Sequence, residues 1–243
     1  MLQNIKAFYG HKLAAADGDI GHVKDFYFDD KTWAVRYLVV DTGSWLTGRQ
    51  VLLSPHAFGR FDEDGKILHV NLTRAQIENS PSIDSHQTVS RQYEIDYYRY
   101  YGWPAYWDGP AMWGLGGYPV AMPAEKDDRP GQVHVHRHRD DKHLQSTQAV
   151  SGYGIEASDG AMGSVTDLMV DDKSWAIREL VVETGHWYSG KQILISPGKI
   201  ERISFEGSKV FVNLTKADIE RTAEHHLAHA GGGNQAAENA PTE

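Results

Sequence analysis

The sequence predicts a mainly β protein made of two copies of one small domain. The chain has 243 residues, and residues 17–78 align with residues 159–220 without a gap, with 31 of 62 pairs identical. The repeated stretch alternates runs of β-branched and aromatic residues with Asp-Gly and Thr-Gly pairs, which favour turns between short strands. A repeat this long is a duplicated domain and not a solenoid unit of about 20–50 residues. We therefore expect each copy to be a small barrel or sandwich.

Four strands are predicted in the first copy. Strict alternation of apolar and polar residues fails over residues 23–28, which predicts a bulge there. Residues 33–40 are β-branched and aromatic enough for a mostly buried strand, and residues 51–53 and 67–72 supply two more. Asp17-Gly18 and Asp64-Gly65 are the clearest turns between them.

A short helix is expected to close each copy. Thr73 and Gln76 have the spacing of a capping box, and Pro81 ends the first helix. In the second copy, Thr215 and Asp218 begin a longer helix at the equivalent place.

These patterns predict four segments. The first repeat takes residues 1–83, and the second takes residues 146–228. Between them, residues 84–145 form a linker that is first rich in aromatic residues and then in charged residues and histidine. Residues 229–243 are small and polar, which is typical of a disordered tail. Because each copy alone has a small core, we expect the two copies to pack on each other, and a homodimer stays open.

Composition excludes several classes of function. A formal net charge of −9 and the lack of a basic stripe argue against nucleic acid as the partner. The absence of cysteine excludes disulfides and thiolate chemistry. No apolar run approaches the roughly 18 residues of a spanning helix, and the N-terminal stretch lacks the apolar core of a signal peptide. We expect a soluble, cytoplasmic protein without a transmembrane segment.

The order of the repeated motifs resembles that of the PRC-barrel family. The motifs are D-G-x-x-G-x-V-x-D, W-A-x-R-x-L-V-V, T-G, L-x-S-P and V-N-L-T-x-A-x-I-E, and each occurs twice. The resemblance covers residues 5–82 and 147–226. The family is named for the photosynthetic reaction centre H subunit and includes the C-terminal domain of a ribosome maturation factor. It implies two small β-barrels in tandem, each closed by a short C-terminal helix, that act as docking or assembly modules without catalysis.

Each copy has one arginine in phase with apolar residues of the same strand, at residues 33–40 in the first copy and 175–182 in the second. An arginine on an inward face needs a carboxylate or carbonyl partner, because an unpaired buried charge is very costly. We therefore expect structural ion pairs in both copies rather than a ligand site. The expected pairs join Arg36 with Asp25 or Asp41, and Arg178 with Asp167 or Glu183.

The linker has an unusual density of aromatic residues, with ten in residues 93–118. Several tyrosines recur at helical spacing, and Gly102-Trp-Pro104 is expected to stop that helix. One interpretation is that the rings pack against the barrels. Another is a docking surface for a protein partner, because Tyr and Trp dominate interface hot spots. A third is a stacking site for a quinone or pigment. The candidate partner-binding residues are Trp103, Tyr106, Trp107 and Trp113.

The histidines suggest a metal site only by composition. His134, His136 and His138 would lie on one side of a strand, a spacing able to chelate zinc, nickel or copper. The segment around them is dense in charge and poor in apolar anchors, so it is also typical of a flexible link. We expect no resident cofactor.

The sequence favours a non-catalytic scaffold or protein-interaction protein. No shared histidine, P-loop, dinucleotide fingerprint or G-x-S-x-G motif occurs in the two copies, so we expect no enzyme activity. One alternative is an accessory factor for photosynthetic or respiratory electron transfer, associated peripherally with a membrane complex. Another is a metal-handling protein that uses the histidine tract.

Overall fold

A computed structural model describes residues 1–47, 49–62, 64, 66–84, 89–120, 144–188, 190–219 and 221. The fold is mainly β, as predicted. The strands are β1 (Leu2–Asn4), β2 (Lys12–Ala15), β3 (Gly18–Asp29), β4 (Ala34–Asp41), β5 (Arg49–Leu53), β6 (Phe58–Asp62), β7 (Ile67–Val70), β8 (Ile83–Asp84), β9 (Leu144–Ser146), β10 (Gly154–Ala157), β11 (Gly160–Asp171), β12 (Ile177–Thr184), β13 (Gln192–Ile195), β14 (Ile200–Ser204) and β15 (Lys209–Val212). The helices are α1 (Arg74–Glu78), α2 (Arg91–Tyr101) and α3 (Thr147–Val150).

The chain divides into two compact units. Unit 1 comprises Met1–Ser151 and Asp167–Glu179, and unit 2 comprises Gly152–Thr166 and Leu180–Glu243. The first sheet has the order β6-β7-β2-β3-β4-β5-β8, with β9 on β3. The second sheet has the order β13-β12-β11-β10-β15-β14, with β1 on β11.

Local features of the first copy follow its sequence. The register of β3 against β4 shifts after Val23 and again after Tyr27, which confirms the predicted bulge. The capping box of α1 is also confirmed, because Gln76 N donates to Thr73 Oγ1 and Thr73 N donates to Gln76 Oε1. Phe26, Leu38 and Leu53 are fully buried, and so is Tyr37 on the other face of β4, so this strand is buried on both faces.

The second copy repeats the local geometry of the first. In each, a tight approach requires glycine, because a Cβ on Gly21 would lie 2.0 Å from Asp41 O and one on Gly163 would lie 2.1 Å from Glu183 O. Both glycines also have positive φ, of 128° and 159°. A β-bulge follows Leu13 in β2, at the position equivalent to the bulge in β10. These shared glycines therefore serve close backbone packing.

Unit 1 contains a reciprocal strand pairing between equivalent segments. Strand β1 pairs with the end of β11, and β9, which is 142 positions after β1, pairs with the end of β3. The turns that follow β3 and β11 also bind each other, since Val35 N donates to Trp175 O over 2.8 Å and Ile177 N donates to Trp33 O over 2.7 Å. The hairpin of residues 167–179 is thus held in unit 1 by backbone hydrogen bonds.

The predicted closed barrels are not found in the hydrogen-bonding pattern of the described residues. The two ladders are open, with β6 and β8 at the ends of the first and β13 and β14 at the ends of the second. The physical reason lies in the Ser-Pro pairs: a 3-10 turn at Pro55–Ala57 separates β5 from β6, and one at Pro197–Lys199 separates β13 from β14. Proline has no N–H to donate, so the ladder does not continue there.

Candidate functional site

The aromatic segment of unit 1 begins with α2, the helix that the tyrosine spacing predicted. Ser90 Oγ accepts a hydrogen bond from Tyr93 N at the start of the helix. Gly102 ends it in the left-handed conformation, with φ of 67°. One face of α2, formed by Glu94, Tyr97 and Tyr98 together with Tyr101, is buried. The segment therefore contributes to the interior of unit 1.

Tyrosine hydroxyls join α2 to strands β4 and β5. Tyr97 donates to Leu52 O over 3.0 Å and accepts from Ser54 N over the same distance. The ring of Tyr97 also meets that of Tyr37 edge to face, with 5.6 Å between centroids. Burial raises the pKa of the Tyr97 hydroxyl well above its usual range, so it stays neutral and can both donate and accept.

A buried carboxylate organises the polar part of this cluster. Glu94 Oε1 accepts hydrogen bonds of 2.8 Å from Tyr37 and from Tyr106, and Glu94 Oε2 lies 2.8 Å from Arg91 Nη1. Glu94 itself is fully buried. Burial, reinforced by the charge of Glu94, raises the pKa of both tyrosines. The arrangement supplies the partners that a buried carboxylate needs.

Arg36 is enclosed by the same aromatic segment. Its guanidinium lies 3.7 Å from the ring centroid of Tyr106 and 4.9 Å from that of Trp113. Nη1 donates to Met112 O over 2.7 Å, and Nη2 donates to Thr32 Oγ1 over 2.8 Å. Only 1% of the side chain is exposed. Carbonyl, hydroxyl and ring contacts together replace water around this cation.

The ion-pair partner of Arg36 is Asp29, at 3.5 Å, instead of Asp25 or Asp41. The equivalent Arg178 pairs with Asp171 at 3.7 Å, instead of Asp167 or Glu183. The expected partners were wrong for a geometric reason. Asp29 ends β3 and Asp171 ends β11, so each carboxylate lies at the turn that precedes its arginine. The four expected carboxylates form no ion pair with either arginine among the described residues.

Asp25 and Asp167 hold backbone and hydroxyl groups. Asp25 accepts hydrogen bonds from Thr147 Oγ1 over 2.9 Å and from Gln148 N over 3.0 Å. At the equivalent place, Asp167 accepts from Lys6 N over 3.3 Å. Burial raises the pKa of Asp25 despite these donors. The shared aspartates therefore anchor the chain beside the reciprocal strands and do not bind the arginines.

The four predicted partner-binding residues lie together in unit 1, mostly in its interior. Trp103, Tyr106 and Trp113 are buried, and Trp113 Nε1 donates to Ser174 O over 2.9 Å. Trp107 is half-buried and its ring lies 4.5 Å from the guanidinium of Arg91. In this structure, only Trp107 of the four offers surface to a partner.

His56 is a buried histidine beneath this segment. Its ring stacks on Trp103, with 5.7 Å between centroids, and meets Trp113 edge to face. Nδ1 lies 2.9 Å from Val120 O, and since a carbonyl can only accept, Nδ1 is the donor. Nε2 has no hydrogen-bond partner among the described residues. Burial lowers the pKa of His56, and the charge of Arg36 lowers it further.

Beyond the buried cluster, the same segment becomes exposed and apolar. Leu115 is 90% exposed, Tyr118 is 60% exposed and Val120 is 58% exposed. Pro119, between the last two, borders a cavity of about 380 Å³ in unit 1. The wall of this cavity combines aromatic and polar side chains: Phe8, Phe58, Phe61 and Trp175 lie beside Gln3, Asp172 and Lys173. A partner segment that carries both apolar and polar side chains is the group that such a wall would accept.

Other expectations fall on different parts of the chain. His134, His136 and His138 lie outside the described residues, as does the tail from residue 229. Within the ranges that the structure describes, no group of three His, Asp or Glu side chains is placed to hold a metal ion. None of the helices described there has the length and apolar character needed to cross a bilayer.

The repeated motifs and the bulged β3–β4 hairpin agree with a comparison against known families. Residues 13–77 match the PRC-barrel domain. This match confirms the family resemblance over the first copy. A Deinococcus radiodurans protein described as uncharacterized is 32% identical over 93 residues. The aligned part is 37% of this chain and 33% of that protein, so the chain spans about a third of the relative's length.

Some residues of the cluster lie outside the PRC-barrel match, and the sequence analysis did not identify them as functional candidates. Arg91 and Glu94 belong to α2 and were not singled out, although an i, i+3 pair of opposite charge was visible. Leu115 and Val120 were also missed, because isolated apolar residues in a glycine-rich stretch carry no periodic signal. His56 lies inside the match, but its burial depends on rings that come from the linker.

Proposed function

We propose that this chain is a non-catalytic protein-interaction or scaffold protein built from two PRC-type domains, at residues 1–83 and 146–228. The exposed apolar side chains of Leu115, Tyr118 and Val120, beside the cavity that Pro119 borders, are the observation that carries the proposal. We name these three residues and the cavity the linker surface. Exposed apolar patches are typical of protein–protein contacts.

The burial and hydrogen bonding of the underlying cluster support this role. The linker surface follows directly on Trp113, whose indole is buried and hydrogen-bonded, and Val120 is held by His56. A partner would therefore meet a surface that needs little ordering on binding, and pre-organised surfaces bind more tightly. The net charge of −9 further favours a protein partner over nucleic acid.

Two repeats in one chain support a scaffold in particular. Both copies carry the same glycine contacts, and Asp17 and Asp159 accept hydrogen bonds from the equivalent amides of Arg74 and Lys216. A duplicated framework with a different surface on each copy is suited to holding more than one partner. No observation on the described residues favours electron transfer or metal handling over this role.

Site-specific photo-crosslinking tests the proposal. A photoreactive phenylalanine analogue replaces Tyr118 in the linker surface, and in the matched control it replaces Phe205, which is 70% exposed in unit 2. We expect a defined adduct from position 118 in cells of the source organism, and its loss on Leu115→Asp. Adducts that are equal at both positions, or adducts that survive Leu115→Asp, would contradict the proposal.

A further inference from the structure

The two copies differ in what covers one equivalent pair of residues. In the first copy, Val39 of β4 lies opposite Leu52 of β5, and each is 3% exposed. In the second copy, Val181 of β12 lies opposite Leu194 of β13 in the same register. Val181 is 8% exposed, but Leu194 is 55% exposed. Leu194 is therefore uncovered where its counterpart Leu52 is covered, whereas Val181 is buried like Val39.

Helix α2 is the element that covers this face in the first copy. The Tyr97 hydroxyl bonds Leu52 O, and its ring meets that of Tyr37, which shares the outward face with Val39 because side chains alternate along a strand. Burying an exposed leucine under such a helix is favourable because it removes apolar surface from water. The equivalent surface of the second copy keeps the apolar pair, as Val181 and Leu194, but has Glu179 at the position of Tyr37.

The second copy has no equivalent helix in its sequence. Residues 233–243 stand 142 positions after α2 and contain no tyrosine, tryptophan or phenylalanine, and neither do residues 213–232. The rings that cover Leu52 therefore have no counterpart at the matching positions beside Leu194.

The polar end of the open face indicates the charge of its occupant. Glu183 lies opposite Gln192 at this end, and both are exposed. Glu183 has no ion pair recorded with another described residue. An exposed carboxylate beside an apolar pair favours an occupant with a lysine or arginine next to its rings.

We propose that the β12–β13 face of unit 2, formed by Val181, Glu183, Gln192 and Leu194, docks a helix of a partner protein that carries tyrosine rings and a basic side chain. This surface is separate from the linker surface of unit 1, so either proposal can fail alone. The binding mode is that of an amphipathic helix laid on an apolar sheet face.

The absence of cysteine makes a direct test of the open face possible. Leu194→Cys places one thiol on the face, Leu52→Cys places one under α2, and Phe205→Cys places one on another exposed part of unit 2. We expect Leu194→Cys and Phe205→Cys to react rapidly with a maleimide, and Leu52→Cys to react at least about 100-fold more slowly, because it is exposed only through local opening. Slow labelling of Leu194→Cys would mean that other residues of the chain cover the face, and would overturn the proposal.

A helix-stapled peptide with the sequence of residues 90–104 serves as the probe for this face. We expect it to bind the full chain saturably and to slow maleimide labelling of Leu194→Cys, with no effect on Phe205→Cys. Leu194→Asp should weaken binding at least about tenfold, because it places a carboxylate against the rings. Glu183→Gln should weaken binding less, and most at low salt.

Three outcomes of the peptide experiment would overturn the inference. They are no saturable binding, binding that is unchanged in Leu194→Asp, and equal binding by a peptide in which the tyrosines at 97, 98 and 101 are alanine. Dimerisation of the chain that Leu194→Asp abolishes would also overturn it, because the occupant would then be a second copy. A chain that binds the peptide but yields no adduct at Tyr118 would leave this inference standing and the proposed function of the linker surface contradicted.

Discussion

The guanidinium of Arg36 lies 3.7 Å from the ring centroid of Tyr106, which is 70 residues away in the sequence. This contact joins β4 of the first copy to the linker. The environments of the two equivalent arginines differ: the side chain of Arg36 is 1% exposed and that of Arg178 is 52% exposed. The pair therefore offers a matched comparison of a buried and an exposed cation.

Arg36→Ala should destabilise unit 1 by about 3–5 kcal/mol, because it removes a buried cation from its hydrogen-bonded partners and leaves a cavity. Arg178→Ala, the matched control, should cost about 0.5 kcal/mol or less, since exposed ion pairs contribute little. Urea denaturation followed by tryptophan fluorescence measures both. Equal effects of the two substitutions would show that the aromatic contacts of Arg36 contribute no stability.

Tyr37→Phe should destabilise unit 1 by about 1–3 kcal/mol, because Glu94 would lose one of the donors that satisfy it inside the protein. Tyr118→Phe is the control, since Tyr118 is largely exposed, and we expect a change within about 0.5 kcal/mol. The midpoint and slope of the urea transition decide the result. A neutral Tyr37→Phe would mean that another donor replaces the hydroxyl.

Gly21→Ala should severely destabilise the first copy, by about 3 kcal/mol or more, because its Cβ would lie 2.0 Å from Asp41 O. Gly198→Ala is the control: a Cβ there would meet no atom within 4 Å, so stability should change little. Yield of folded protein and thermal unfolding measure the effect. If both variants unfold at the same temperature as the original chain, the tight β3–β4 approach is not required.

Stability should fall as the pH drops below 6.5, partly because of His56. Its pKa in the folded state is lowered from the ordinary value of 6.5, chiefly by burial. Below 6.5 the unfolded chain therefore binds a proton that the folded chain does not, and the loss continues until the pH reaches the folded pKa. His56→Gln should reduce this slope, measured as the unfolding free energy between about pH 7 and pH 5.

The control for that experiment is His22→Gln, since His22 is exposed. Asp25 acts in the opposite direction at lower pH, because burial raises its pKa and protonation then favours the folded state. The informative quantity is therefore the difference between variants at each pH. An identical slope in His56→Gln and the original chain would exclude His56 as a source of acid sensitivity.

The sequence predicted local structure well because the responsible interactions are short in range. The bulge in β3, the capping box at Thr73 and the helix that ends at Gly102 depend on neighbours within a few residues, and all three are present. The closed barrels were wrong over the described residues. Closure depends on strands that meet through space, and alternation of side chains does not specify it.

The ion pairs show the same limit. An inward arginine in each copy was evident from the strand phase, and so was its need for a partner. Asp29 was not identified as that partner, because an adjacent pair of acids in a turn has the same sequence appearance whether or not it contacts an arginine. The contacts of Tyr106 and Trp113 with Arg36 were not predicted from the sequence either. They depend on the path that the linker takes through space.

The sequence alone determined the duplication, the β character of each copy and the positions of its turns and helix caps. These follow from periodicity, turn chemistry and steric limits that act on nearby residues. Only the tertiary structure decided that the linker rings are mostly buried around Arg36 and Glu94, and that Leu52 is covered whereas its counterpart Leu194 is exposed. Whether a face is covered depends on which distant side chains occupy the same space. Two similar strand patterns therefore do not predict it.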